Sequence, residues 1–130
     1  MHLKCLYMNQ LLENVQILLV HQDNDARKEY VLQFEQLGAL VDTAEDGLSG
    51  CMIFFKKIPT IVLTEMEMPN MDGHTMSRML KALDFNGPII GITSHLNLVS
   101  DPGSLDRGPN KILNSNNTDY VVNSIVNIFS

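Results

Sequence analysis

Four short polar segments hold the side chains able to do chemistry in this chain. They are His21–Gln22–Asp23–Asn24–Asp25, the long run Thr64–Glu65–Met66–Glu67–Met68–Pro69–Asn70–Met71–Asp72–Gly73, the pair Thr93–Ser94, and Asn114–Ser115–Asn116. His21, Gln22 and Glu65 together would offer a transition metal an imidazole, an amide and a carboxylate. His21 paired with Glu65 would stay protonated nearer neutral pH and sense protons. Plainer readings exist: His21 as a polar residue at a strand end, Glu65 as a solvated loop carboxylate. Asp23 and Asp25 are better used as charges at the start of a helix. Cys5 and Cys51 are the only cysteines. They are too few for a disulfide framework and match no metal-binding spacing.

These segments matter only if the fold gathers them. Each follows an apolar run: Ile17–Leu18–Leu19–Val20, Ile61–Val62–Leu63, Ile89–Ile90–Gly91–Ile92 and, more weakly, Ile112–Leu113; Leu40–Val41 is a further weak run. Such runs are strands buried on both faces, as in parallel sheets. Between them lie helical patterns. Tyr30, Val31, Phe34 and Leu37 follow the capping run Asp23–Asn24–Asp25 and end at Gly38. Residues 46–56 predict a helix with Leu48, Met52 and Phe55 inward, weakened by Gly47 and Gly50. A third helix follows Asp72, with Met76, Met79, Leu80 and Leu83 on one face; its methionines read as core filler. A last helix follows Asn116–Asn117–Thr118, with Val121, Val122, Ile125, Ile128 and Phe129 inward. The alternation predicts a doubly wound, five-stranded parallel α/β sheet made of right-handed crossovers. In such sheets the site lies at the carboxyl ends of the strands, where the polar segments converge.

The bulk properties bound the function. The chain has 130 residues, one domain's worth, and 45% hydrophobic residues, enough for a core. Its formal charge of −6 argues against direct nucleic-acid binding. Apolar runs stop at about five residues, too short for a membrane span, and no secretory h-region is present. The expectation is a cytoplasmic protein with reduced thiols. Residues 1–14 stand apart as a leader or linker, or as a helix docking on a neighbour or a second copy, and residues 15–130 form the domain.

Across residues 15–130 the chain resembles the receiver domain of two-component response regulators. Met68–Pro69–Asn70–Met71–Asp72–Gly73 just after an apolar strand carries most of the likeness. Arg27, Gly38, Ala44–Glu45–Asp46–Gly47, Pro88 and Gly108 fall in frame with it. The resemblance implies a flavodoxin-like receiver fold and a phosphorylation pocket, but that pocket is degenerate here. The acidic-pair positions after the first strand hold His21 and Gln22. The phosphoacceptor position holds Glu65 instead of Asp. The switch hydroxyl is retained as Thr93. The position of the lysine holds Ser115, and that of the aromatic switch residue holds Ile112.

Phosphoryl transfer to a carboxylate joins two anions, so it needs charge neutralisation and positioning. Mg²⁺ wants oxygen ligands, with one or two carboxylates among them. His21 and Gln22 supply neither carboxylate, and Ser115 supplies no ammonium. Glu also reaches roughly 1.5 Å further than Asp, in a reaction sensitive to about an ångström. The expectation is therefore a pseudo-receiver of bacterial-type two-component signalling, with no catalytic residue, no cofactor and no metal. Its partners would be proteins: a histidine kinase, another regulator or an output domain, with a homodimer left open. Nucleic acid and membrane are excluded as partners. The alternative is a receiver that still takes phosphate from a histidine kinase, at Glu65 or another carboxylate. Glu65 could also imitate the phosphorylated state in part, being short of the phosphate's charge and oxygens. Asp101–Pro102–Gly103 predicts that the helix between Thr93 and Gly108 is broken, which would remodel a face receivers use for docking.

Overall fold

The computed structural model describes residues 10–94, 108–115 and 117–130. In chain order its elements are β1 (Gln16–Val20), α1 (Asn24–Gln36), β2 (Leu40–Ala44), α2 (Gly47–Lys56), β3 (Ile61–Glu65), α3 (Gly73–Ala82), β4 (Ile89–Thr93), β5 (Lys111–Asn114) and α4 (Thr118–Ile128). The strands form one five-stranded sheet in the order β2-β1-β3-β4-β5. All four pairings are parallel. The predicted break at Asp101–Pro102–Gly103 lies outside the described residues. Among those residues no helix is long and apolar enough to cross a membrane.

Strand side chains alternate between faces, and the central strands use both. Ile17, Leu19, Ile61, Leu63, Ile90 and Ile92 point to one side, where α1 and α4 cover them with Tyr30, Phe34, Val121, Val122 and Ile125. Leu18, Val20, Val62 and Ile89 point to the other, against Cys51 and Phe54 of α2 and Met76 and Leu80 of α3. This explains the continuous apolar runs of β1, β3 and β4. The edge strands β2 and β5 are partly exposed, which is why their runs are weaker. Leu12 is fully buried in the first of these cores, and its N–H donates to Leu37 O at 2.8 Å. Among the described residues, core packing thus already includes Leu12, three residues before Val15, where the regular pattern starts.

The face of α2 differs from the one expected. Leu48, Met52 and Phe55 are 51%, 64% and 67% exposed, while Gly47, Gly50, Cys51 and Phe54 face inward. The glycines, which weaken the helix by propensity, are its packing surface. A Cβ on Gly50 would stand 3.0 Å from Val20 Cγ2, and one on Gly47 would stand 2.6 Å from Met71 O. Gly50 lets the helix approach β1, and Gly47 lets it approach the loop at Met71. Cys51 is a free, buried thiol whose pKa burial raises, so it is packed rather than reactive. In α3, Met76 and Leu80 are buried with Ser77, but Met79 is exposed, as is Leu83 at the cap that follows. In α4, Ile128 is likewise exposed. Asp23, Asp46, Asp72 and Asn117 each cap a helix by accepting a backbone N–H.

Candidate functional site

The parallel registers end β1, β3 and β4 together at Val20, Glu65 and Thr93, and their following loops meet over the carboxyl edge of the sheet. A cleft of about 290 Å³ opens there, lined by His21, Glu65, Thr93 and Ser115 among others. These are four of the six pocket positions singled out in the sequence. Gln22 joins through hydrogen bonds. Ile112 does not reach the cleft: it is half-buried on β5, opposite Gly91.

The β1 tip is tied down by its own backbone. His21 N–H donates to Ala44 O at 3.0 Å, extending the ladder to β2 by one residue. Arg27 donates to His21 O at 2.6 Å and also to Asn24 Oδ1. Its guanidinium thereby closes the β1–α1 turn from outside and does not line the cleft. On the β3 side, Met66 N–H donates to Ile92 O at 2.9 Å and Gly73 N–H to Met66 O at 3.0 Å. A Cβ on Gly73 would sit 2.3 Å from Glu65 O, so the start of α3 rests directly on the strand tip. Asn70, at φ 70°, turns the intervening loop through a left-handed conformation that asparagine tolerates.

The polar groups of the tip satisfy one another. Gln22 N–H donates to Glu65 Oε1 at 2.7 Å, and the Gln22 side-chain amide donates to Glu67 O at 3.2 Å. Asp23 N–H donates to His21 Nδ1 at 3.1 Å, which fixes Nδ1 as the unprotonated nitrogen. The 3.4 Å approach of Nδ1 to Glu65 Oε1 is then a contact without a proton between them. The expectation that Glu65 keeps His21 protonated nearer neutral pH is corrected here. Burial holds the imidazole below its ordinary value; Asp23 opposes this and Arg27 adds to it. Burial likewise raises the Glu65 pKa, opposed by the Gln22 N–H and reinforced by the charges of Glu67 and Asp23. Both members of the pair are pushed toward neutrality.

Two contributors, Glu67 and Tyr30, were absent from the sequence reading of the site. Thr93 is 2% exposed and its hydroxyl donates to the Glu67 carboxylate, 3.0 Å from each oxygen. Tyr30, read only as a core residue, is equally buried but lines the cleft. Its ring centroid is 5.9 Å from that of His21. Its phenol is pushed up to about 12 by burial and by the Glu65 charge, against a hydrogen bond with Thr118. A tyrosine on the core face of the first helix, near the carboxyl edge, was the available signal: its ring can be buried while its hydroxyl seeks a polar partner.

The donor set does not fit a magnesium ion. His21 presents nitrogen, Gln22 presents its NH₂ to a carbonyl, Asp23 caps α1, and Glu67 is turned to Thr93. Among the described residues, no three of His, Cys, Asp and Glu are grouped to hold a metal ion. No described Lys or Arg lines the cleft. Ser115, at the lysine position, accepts Asn117 N–H at 2.9 Å and helps start α4.

Comparison with known proteins agrees with this architecture. The family model described as the response regulator receiver domain matches residues 17–119. The sensor histidine kinase RcsC of Escherichia coli K12 is 26% identical over 118 residues, covering 91% of this chain but 12% of its own length. The transcription factor SKN7 of Saccharomyces cerevisiae is 30% identical over 97 residues, covering 75% of this chain and 16% of its own. The chain therefore spans a small part of these relatives. Among solved structures, the receiver domain of the Francisella response regulator 1452 superposes with a TM-score of 0.78 at 20% identity, covering 89% of this chain and 96% of that one. TrrA of Thermotoga maritima, solved with Mg²⁺ and BeF, superposes with a TM-score of 0.76 at 23% identity, covering 88% and 98%.

Proposed function

The chain belongs to the response regulator receiver domain family, and from that premise we propose that it is a pseudo-receiver, a binding module of two-component signalling that works without phosphorylation. It is read as a cytoplasmic protein and not as an enzyme. Its partner is a protein: a histidine kinase, another regulator or an output domain.

The observation that carries this reading is the wiring of the β1 tip. The groups that would have to receive a cation and a phosphoryl group are engaged with one another. Gln22 spans from Glu65 Oε1 to Glu67 O, through its backbone N–H and its side-chain amide. Thr93 holds the Glu67 carboxylate. Asp23, Glu65 and Glu67 line the cleft with no described Lys or Arg beside them, so among the described residues an incoming phosphoryl dianion meets carboxylates and no counter-charge. Conformation is then set by which partner binds, and a partner shifts it only as far as its affinities for two conformers differ.

Acetyl phosphate with Mg²⁺, followed by intact-mass spectrometry, tests this. The expected spectrum lacks the gain of about 80 Da that one phosphoryl group brings. A stoichiometric adduct on Glu65 or another carboxylate would instead make the chain a phosphoacceptor, the competing reading.

A further inference from the structure

The outward face of α2 is a surface the cleft does not use. Leu48, Met52 and Phe55 recur at i, i+4 and i+7 and are 51%, 64% and 67% exposed. They form one stripe along the helix, and Ile58, just past the helix end, is 66% exposed. Single exposed apolar residues are ordinary, but a contiguous stripe marks an interface. The inward face of α2 is already filled by Gly47, Gly50, Cys51 and Phe54, so the stripe has no role in the core.

Charge gives this face a direction. Glu45 and Asp46 stand at its amino end, Lys56 and Lys57 at its carboxyl end. Asp46 accepts the Ser49 N–H at 2.8 Å, and that bond holds its carboxyl below the usual range, so it stays charged. Lys57 lies 3.9 Å from Asp42, an exposed pair that costs little to give up. A surface that is acidic at one end, apolar in the middle and basic at the other complements itself under a two-fold axis. With two copies of α2 antiparallel, Leu48 meets Phe55 of the other copy and the Met52 side chains meet near the axis. Glu45 and Asp46 then face the other copy's Lys56 and Lys57 at both ends.

We propose that this face is a homodimer interface built on antiparallel α2 helices. α2 is ten residues long, about 15 Å. The buried area is therefore small beside the roughly 1,200–2,000 Å² of stable complexes, and the dimer is weak and concentration-dependent. No α2 residue lines the cleft, so the proposal stands whether or not the chain takes up phosphate.

Sedimentation velocity of the full chain across the micromolar range tests it. The wild type is expected to move from monomer to dimer with concentration, and less so at high salt. Phe55→Glu is expected to weaken association by about tenfold or more without changing the circular dichroism spectrum, since the side chain is exposed. Two charge variants separate this geometry from general stickiness. Lys56→Glu with Lys57→Glu sets like charges against each other in its own dimer, and so does Glu45→Lys. Each alone should associate less than wild type, and the two mixed should form a one-to-one complex. A wild type that stays monomeric throughout overturns the proposal, including the case where a different protein covers the stripe. So does a Phe55→Glu dimer as tight as wild type, or a mixture of charge variants that does not associate.

Discussion

The contact between Thr93 and Glu67 yields the sharpest number. Thr93 is 2% exposed and donates its hydroxyl to both Glu67 oxygens at 3.0 Å. Thr93→Val keeps the shape and removes the donor. A hydrogen bond to a charged group contributes about 1.5–3 kcal/mol. Glu67 is only half-buried, so water replaces part of the loss and the expected coupling is about 1 kcal/mol. The single variant also loses whatever else Thr93 touches, so the cycle with Glu67→Ala is needed to isolate this pair. Urea unfolding of the four proteins gives the coupling free energy, provided their m-values agree. For a domain of this size, about 1 kcal/mol corresponds to roughly 3–5 °C in Tm. A coupling below about 0.3 kcal/mol, within the usual additivity error, would show that the hydroxyl does not hold the carboxylate.

Other perturbations probe the rest of the tip. The raised Glu65 pKa means its charge disfavours folding once pH rises above the ordinary 4.5. Glu65→Gln should therefore stabilise the fold at pH 7, with the advantage fading as pH falls toward 4.5; no pH-dependent difference would refute the burial effect. His21 moves in the other sense. Its lowered pKa makes its contribution complete above 6.5 and lost as pH falls through the folded value; an NMR titration giving a pKa above 6.5 would contradict this. Gly73→Ala places a Cβ 2.3 Å from Glu65 O and should cost about 1–3 kcal/mol in urea unfolding, whereas an unchanged midpoint would separate α3 from the strand tip. Restoring carboxylates and a lysine together, as His21→Asp, Gln22→Asp, Glu65→Asp and Ser115→Lys, should bring Mg²⁺-dependent uptake of phosphate from acetyl phosphate. Each substitution alone should not, because groups that act as a unit are not additive.

The sheet was legible because burial on both faces writes itself as unbroken apolar runs at Ile17–Val20, Ile61–Leu63 and Ile89–Ile92. Caps at Asp23 and Asp72 were legible for the same local reason: the donor and acceptor are a few residues apart. The face of α2 was not. Hydrophobic periodicity pointed to Leu48, Met52 and Phe55, but the constraint was room, and Gly47 and Gly50 supply it. Local sequence weighs glycine by propensity and cannot see that a Cβ on Gly50 would stand 3.0 Å from Val20 Cγ2. His21 and Glu65 were rightly brought together, yet the protonation that follows depends on the Asp23 N–H claiming Nδ1 and on how deeply the pair sits. Glu67 and Tyr30 went unread because a loop carboxylate and a core aromatic become site residues only through tertiary geometry.

On the proposed pseudo-receiver reading, the cleft does not assemble a cation and a phosphoryl group beside Glu65. Crystals soaked with magnesium and beryllium fluoride test it without relying on reaction rates. Unchanged density around Glu65, with the Gln22 bonds to Glu65 and Glu67 intact, is the predicted outcome. An ordered fluoroberyllate on Glu65 with a magnesium ion next to it would contradict the account.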